Sequence, residues 1–130
     1  MDLADLVSGT PFVCGPDTSL REVAAGLAAR GHGSAGVVDG RDLVGVITER
    51  DLVRAITAGA DFEAETARRW MGVDPDVFDP DVDVFDASEW LLASGYRHLP
   101  VMDDDELLGI VSIRDLLRAV ISSLEEDDEE

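Results

Sequence analysis

The sequence predicts an α+β fold of two tandem β-α-β-β-α repeats, packed through their sheets into one pseudo-two-fold domain. The first observation behind this prediction is a self-match: residues 11–55 align without a gap on residues 75–119, with 16 identities in 45 positions. The second is that helical and strand periodicities recur in the same order in both halves. The third is size, because a repeat of about 55 residues buries too little area to be stable alone, whereas two can share a core.

The first repeat opens with a short strand near Val13 and continues into an amphipathic helix. Apolar residues recur there at the i, i+3, i+4, i+7 and i+8 spacing that places them on one helical face: Leu20, Val23, Ala24, Leu27 and Ala28. Gly31 follows the last of them and is typical of a residue that ends a helix. This face needs a sheet or another helix to cover it.

A β-hairpin and a second helix complete the repeat. Two short apolar runs are separated by Gly40-Arg41, which indicates a tight hairpin turn. The strands and the helix are predicted at 35–39, 43–48 and 49–58 in the first repeat; the elements of the second are predicted near Val77 and at 83–94, 99–102, 107–112 and 113–124. The resulting boundaries are 1–60 for repeat 1, 61–72 for a connecting helix, 73–124 for repeat 2 and 125–130 for a solvated acidic tail.

The charge is far from balanced, with 29 acidic residues against 10 basic ones and a net charge of −19. All the basic residues are arginine. Nucleic acid and anionic membranes are excluded as partners, because both require clustered positive charge. The acidity indicates either an acidic interaction surface or a protein of a salt-rich cytoplasm, and its spread along the whole chain favours the halophilic interpretation.

Other whole-chain features predict a soluble cytoplasmic protein. No charged-then-apolar leader follows Met1, and no apolar run has the roughly 20 residues of a membrane span. The lone Cys14 has no intramolecular disulfide partner and is interpreted as an apolar strand residue. The two histidines show no metal-ligand spacing and no catalytic arrangement of Ser, His and Asp is present, so we expect neither a metal site nor an enzyme.

Taken together, the repeats resemble a tandem pair of cystathionine β-synthase (CBS) domains, known as a Bateman module. The residues that carry this resemblance are Pro-Asp-Thr-Ser-Leu at 16–20, Gly-Tyr-Arg-His-Leu-Pro-Val at 95–101, and the Gly-hydrophobic-hydrophobic-Thr/Ser-x-Arg-Asp endings at 45–51 and 109–115. The resemblance implies a regulatory module that binds AMP, ADP, ATP, S-adenosylmethionine or NAD in clefts between the repeats. It also implies a homodimer, and a regulatory effect exerted on a partner protein in trans.

Each ending has both a structural and a ligand-binding interpretation. A Ser or Thr with an acidic residue three positions later resembles a capping box, which satisfies free N–H groups at a helix start. The same place offers a phosphate the positive end of the helix dipole and offers vicinal ribose hydroxyls a carboxylate. The resemblance favours ligand contact by four residues: Thr48, Asp51, Ser112 and Asp115.

The remaining expected site residues are assigned by analogy with the family. The adenine slot would be walled by Val13 and Val77 of the opening strands and by residues before the hairpins, namely Ala35, Val37, Leu99, Pro100 and Val101. The phosphate would meet Arg50, Arg97, His98 or Arg114, which could instead pair with nearby carboxylates. On charge grounds AMP or S-adenosylmethionine suits this acidic chain better than ATP.

The two repeats differ at the hairpin entrance. The second has Arg97-His98-Leu99-Pro100-Val101, whereas the first has Gly33-Ser34-Ala35-Gly36-Val37, without the proline or a basic residue. The first repeat is therefore expected to bind more weakly. This degeneracy also supports an alternative function, a ligand-free dimerisation or scaffold protein.

Overall fold

The computed structural model describes the backbone of residues 1–129 and the side chains of residues 1–126, and it confirms the α+β class. This part of the chain contains five α-helices and six strands in two sheets. It divides into two compact units, one of residues Thr10–Pro75 and the other of Met1–Gly9 together with Asp76–Glu130.

The unit Thr10–Pro75 is built on a four-stranded sheet. Its elements are β1 (Val13–Cys14), α1 (Leu20–Arg30), β2 (Ser34–Asp39), β3 (Asp42–Thr48), α2 (Glu49–Thr57), α3 (Ala67–Trp70) and β4 (Gly72–Val73). The strand order is β1-β2-β3-β4, with β1 parallel to β2 and the other pairs antiparallel. The predicted hairpin at Gly40-Arg41 is confirmed, because β2 and β3 pair on either side of it. The predicted apolar face of α1 is buried in the core of this unit at Leu20, Val23 and Leu27 and partly buried at Ala24, whereas Ala28, at the C-terminal end of the helix, is exposed.

The other unit has a smaller sheet. Its elements are a 3₁₀ helix (Leu3–Leu6), α4 (Val84–Ser94), β5 (His98–Asp103), β6 (Glu106–Ser112) and α5 (Ile113–Glu129). The two strands form an antiparallel hairpin. The strand predicted near Val77 is reduced to a single parallel bridge between Phe78 and Val101, at the positions that match the Cys14–Val37 pair of the first unit.

Polar caps and glycines define where α1 and α4 begin and end. The Ser19 hydroxyl accepts the Glu22 N–H before α1, and an Asp83 carboxylate oxygen accepts the Phe85 N–H before α4. Gly31 and Gly95 end these helices with φ of 64° and 80°, a left-handed conformation that only glycine adopts without strain.

Each compact unit includes a short segment that precedes the other repeat in the sequence. The Leu3 N–H donates to the Val82 carbonyl at 2.9 Å, and the Ala67 N–H donates to the Thr18 carbonyl at 2.9 Å. The two bonds are equivalent at the 64-residue offset, and Leu3 and Ala67 are both fully buried. Residues 1–9 therefore belong to the unit of the second repeat, whereas the predicted boundaries placed them with the first.

In each unit, the segment that precedes the other repeat in the sequence, here called the exchanged segment, packs against a strand glycine. A Cβ on Gly109 would lie 2.9 Å from Cγ1 of Val7, and a Cβ on Gly45 would lie 2.7 Å from the carbonyl oxygen of Gly72. Both distances are shorter than a van der Waals contact. The two glycines occupy matching positions of β6 and β3, so the same close approach occurs once in each unit.

Two predicted elements differ in length from the structure. The connecting helix expected at 61–72 is reduced to α3, because the backbone at Thr66 is extended (φ −121°, ψ 165°) and the Asp61 carboxylate accepts the Glu63 N–H in a turn. Helix α5, expected to end at 124, continues to Glu129 through most of the predicted acidic tail. Glu125 and Glu126 are exposed, as that prediction requires, and residue 130 lies outside the described residues. Within the described residues, no helix combines the length and apolar character needed to cross a bilayer.

Candidate functional site

The Thr48–Asp51 motif lies where β3 ends and α2 begins, and it forms the predicted capping box. The Asp51 N–H donates to the Thr48 hydroxyl oxygen at 3.3 Å, and the Thr48 N–H donates to Oδ2 of Asp51 at 2.9 Å. The Asp51 carboxylate also accepts the Thr48 hydroxyl at 3.1 Å and the Arg54 guanidinium at 3.0 Å. Both carboxylate oxygens of Asp51 are therefore engaged within the chain.

The Ser112–Asp115 motif has the same place at the end of β6 and the start of α5. The Ser112 N–H donates to Oδ2 of Asp115 at 3.0 Å, and the Asp115 N–H donates to the Ser112 hydroxyl oxygen at 3.1 Å. Arg118 matches Arg54 in the repeat, but it forms no ion pair with any carboxylate whose side chain the structure describes. Asp115 is thus free of the arginine competitor that Asp51 has, and it is better placed to accept hydroxyl groups of a ligand.

The start of β5 lies beside this second motif. His98 is the register partner of Ser112, and the Ile113 N–H donates to the Arg97 carbonyl at 2.8 Å. The chain thereby brings together the two basic residues of the hairpin entrance, the hydroxyl of Ser112 and the first turn of α5. These groups are distant in the sequence, and the antiparallel pairing of β5 with β6 brings them together.

The first unit has the same backbone arrangement with different side chains. Ser34 pairs with Thr48, and the Glu49 N–H donates to the Gly33 carbonyl at 3.0 Å. Gly33 and the buried Ser34 therefore stand where the second unit has Arg97 and His98. The structure places the difference between the repeats directly next to the capping box.

The predicted adenine-slot residues fall into two groups. Val13 and Val77 are about half exposed, with 44% and 51% of their surface accessible, so their side chains can contact a ligand. The others are buried: Ala35, Val37, Leu99, Pro100 and Val101. Because four of these five, all but the proline, belong to the hydrophobic cores of their units, they can contribute to a slot chiefly through main-chain groups.

The arginines predicted to meet a phosphate are exposed. None of Arg50, Arg97 and Arg114 forms an ion pair with a carboxylate of residues 1–126, although other arginines of the chain do. In a chain with 29 acidic residues, this leaves positive charge uncompensated beside both capping boxes. The alternative that these three arginines serve as partners of neighbouring carboxylates is not observed among the described side chains.

Sequence reasoning missed a salt bridge and an aromatic cluster next to the site. Arg54 binds Asp51, and the i, i+3 spacing of the two residues on α2 is the signal that could have found the pair. Tyr96 stacks on Trp90 at 5.7 Å between ring centres, and Trp90 meets Phe78 edge-on at 4.8 Å. No sequence pattern indicates this aromatic cluster, because its members come from three separate segments.

Neither the histidines nor the cysteine gives this site metal-binding or nucleophilic chemistry. Among the described residues, no group of three His, Cys, Asp or Glu side chains is placed to hold a metal ion. Burial raises the pKa of the Cys14 thiol to about 11, so the thiolate is scarce at neutral pH. The groups that remain for ligand contact are hydroxyls, carboxylates and arginines, together with the positive ends of the two helix dipoles.

Comparison with known proteins identifies the family of both repeats. The family model described as "CBS domain" matches residues 3–58 and again residues 67–122. An uncharacterized 17.7 kDa protein of Acidianus ambivalens is 37% identical over 111 residues, which are 85% of this chain and 67% of that protein.

Solved structures show the same fold. A CBS domain protein from Pyrobaculum aerophilum, solved in complex with AMP, is 28% identical with a TM-score of 0.85, covering 97% of this chain and 99% of that one. A putative signal-transduction protein with CBS domains from Burkholderia ambifaria is 26% identical with a TM-score of 0.86, covering 94% and 95%. The two matched segments span both repeats and both capping boxes, and on this evidence the chain belongs to the CBS-domain family, of which it carries two copies.

Proposed function

We propose that this protein is a regulatory module that binds an adenosine-containing ligand at the Ser112–Asp115 junction and, more weakly, at Thr48–Asp51. The observation that carries the proposal is the pairing of each capping box with unpaired arginines, Arg97 and Arg114 at the second and Arg50 at the first. The AMP complex of the similar Pyrobaculum aerophilum protein supports the choice of ligand class.

In this proposal each group has a distinct role. Asp115 accepts hydrogen bonds from the ribose hydroxyls, while the positive end of the α5 dipole and the side chain of Arg97 or Arg114 meet the phosphate. The Ile113 and Asp115 N–H groups are already bonded to the Arg97 carbonyl and the Ser112 hydroxyl. Val77 packs against the adenine. Asp51 is the weaker ribose ligand because Arg54 already engages it, and Gly33 and Ser34 supply no positive charge.

Charge favours AMP or S-adenosylmethionine among the candidate ligands. The net charge of −19 opposes the approach of a polyanion such as ATP, and it opposes a monophosphate less. ADP, ATP and NAD remain in the tested set.

The regulatory output is proposed to act in trans on a partner protein, through a ligand that prefers one conformation of the module. The active form is proposed to be a cytoplasmic homodimer.

Titration calorimetry of AMP, ADP, ATP, S-adenosylmethionine and NAD in molar KCl tests the ligand class. We expect AMP to bind, and Asp115→Asn to weaken its affinity by about tenfold to a hundredfold, because a hydrogen bond to a charged acceptor is lost. Asp105→Asn, at the exposed tip of the second hairpin, is the matched control that keeps wild-type affinity.

A second comparison separates phosphate from nucleoside contacts. Arg97→Gln should weaken AMP but leave adenosine unchanged, since adenosine has no phosphate. If none of the five ligands binds the wild type, the ligand-free scaffold is the better interpretation. If AMP binds but Asp115→Asn has no effect, the ligand lies elsewhere.

A further inference from the structure

The outer edge of strand β6 lacks the partner strand that covers the matching edge of β3. In the unit Thr10–Pro75, β4 pairs antiparallel with β3, and the Asp74 N–H donates to the Val44 carbonyl at 3.3 Å. In the other unit, no residue that the structure describes forms a ladder with the corresponding edge of β6, and the sheet ends there. An edge strand of this kind has main-chain groups available for pairing with another chain.

The available groups belong to Leu108 and Ile110. Ile110 lies opposite Pro100, whose carbonyl accepts the Phe78 N–H on the far side of β5, so the main-chain groups of Ile110 point away from β5. Leu108 corresponds to Val44, whose carbonyl is the acceptor for the β4 segment in the other unit. Together these two residues offer a partner the same donors and acceptors that β3 offers β4.

The exchanged segment of this unit reaches β6 but forms no strand beside it. Val7 packs on Gly109 as Met71 packs on Gly45, so the two segments arrive in the same way. The next residues differ, because Gly72 and Val73 form β4 whereas Gly9, at the position of Val73, has a φ of 69°. This left-handed conformation is incompatible with an extended strand, and the edge is left open within its unit.

The unit with the open edge also carries most of the negative charge. It has 19 acidic residues against three arginines, whereas the unit Thr10–Pro75 has ten against seven, so the net charges are −16 and −3. Residues 103–106 are all acidic and exposed, and they form the hairpin tip and the start of β6, at one end of the edge. Pairing of this edge with that of a second copy would be opposed by like-charge repulsion, whereas a basic partner would be attracted.

We propose that the β6 edge at Leu108–Ile110 accepts an extended segment of a basic partner protein as an added antiparallel strand. The pairing of β4 with β3 is the template, and in that arrangement the residue three positions after the one opposite Gly109 lies beside Glu106. Lys or Arg is therefore expected on the carboxyl side of the partner strand. This inference rests on the proposed action in trans and names the class of partner, and it is independent of which ligand binds.

Fluorescence anisotropy with the peptide fluorescein-Thr-Gly-Val-Thr-Val-Lys-Arg-Arg-amide tests the edge, in about 0.5 M KCl, which leaves adjacent charges only partly screened. We expect saturable binding, and N-methylation of the glycine and the second threonine should weaken it by about tenfold or more, since two main-chain donors are lost. Equal affinity of the methylated peptide, or no binding of the parent peptide, would overturn the proposal. Moving the basic residues to the amino end should also weaken binding, and an unchanged affinity would overturn the antiparallel register.

Two substitutions at Ile110 test the same edge from the side of the protein. Ile110→Pro removes the outward N–H and should weaken the peptide by about tenfold, whereas Ile110→Val keeps it, reproduces Val46 and should bind as the wild type does. Circular dichroism checks the fold, and a folded Ile110→Pro with wild-type peptide affinity would overturn the edge. If the proline variant does not fold, the methylated peptide on the wild type decides.

An AMP titration of the same samples separates this surface from the proposed ligand site. A wild type that binds the peptide but none of the five adenosine ligands would overturn the proposed ligand and leave the β6 edge standing. A wild type that binds AMP but not the peptide would overturn the edge alone.

Discussion

Asp51 and Asp115 occupy equivalent positions in the two repeats but have different neighbouring side chains. Both aspartates cap a helix in the same way, so the capping box alone does not distinguish them. The difference comes from the pairing of Arg54 with Asp51 and from the side chains at the hairpin entrance. We infer that the capping role is common to both repeats and that the added ligand role is stronger where the carboxylate has no arginine partner.

Cys14 gives a pH dependence of stability that belongs to a single side chain. Burial raises the pKa of its thiol from 9.0 to about 11, so the folded state retains the proton over a range in which the unfolded chain has lost it. This contribution to stability is complete below pH 9 and is lost as the pH rises toward 11. The free energy of unfolding, measured by denaturant titration between pH 8 and pH 11, should therefore fall.

The Cys14→Ala variant isolates this effect. Its free energy of unfolding should fall less over the same pH range than that of the wild type, because it has no thiol to ionise. Equal slopes for the two proteins would show that other groups cause the pH dependence.

At the level of elements, the packing of each exchanged segment depends on a strand glycine, Gly45 in one unit and Gly109 in the other. Gly45→Ala and Gly109→Ala should each lower the free energy of unfolding by about 1–3 kcal/mol, since the added methyl group overpacks a closely packed site. Gly45→Ala should be the more damaging, because its new atom meets the Gly72 carbonyl, whereas Gly109→Ala meets the movable side chain of Val7. Urea unfolding measures both.

Two companion variants make this prediction specific. Adding Val7→Ala to Gly109→Ala should recover part of the lost stability, because it removes the atom that the new methyl group meets. Gly59→Ala provides the contrast, since no atom lies within 4 Å of its Cβ position and any cost there comes from its φ of 77°. A Gly109→Ala variant as stable as the wild type would contradict the close approach.

Local patterns predicted most elements, but not the partner of each segment. The helices at 20–30 and 84–94 and both hairpins could be predicted because apolar spacing, caps and turn residues are local signals. Residues 1–9 belong to the unit of the second repeat through long-range contacts, and no local periodicity in the sequence predicts such contacts. The expected helix at 61–72 was wrong in length because a side-chain turn at Asp61 competes with helical hydrogen bonds.

The candidate site was predictable to a similar extent. The capping boxes and the exposed arginines follow from spacing, and the structure brings Arg97 and His98 beside Ser112 as the hairpin requires. The burial of Leu99 and Val101 follows from which face of β5 meets the core, which the short apolar run did not indicate. Likewise, Gly26 lies under the ring of Phe12. At the equivalent position of the second repeat, Trp90 itself provides an aromatic ring, which packs against Phe78. Alignment of the two repeats does not reveal this replacement.

At the scale of the whole molecule, the net charge of −19 predicts a dependence on salt. Self-repulsion destabilises the folded chain, and the screening length shortens from about 10 Å at 0.1 M salt to about 3 Å at 1 M. The urea midpoint should therefore rise between 0.1 M and 1 M KCl. A midpoint that does not change over this range would contradict the halophilic interpretation of the composition.

The exchange of opening segments also has a consequence for the order in which the chain can fold during synthesis. Residues Thr10–Pro75 form one continuous stretch, so every contact of that unit is available as soon as Pro75 has left the ribosome. The segment Met1–Gly9 is translated before that unit, yet the Leu3 N–H cannot find its acceptor until Val82 has been added, and α5 comes later still. Residues 1–9 are therefore translated before the unit Thr10–Pro75 but acquire their native contacts after that unit can fold, and Leu3 is exposed to solvent or chaperones in the interval.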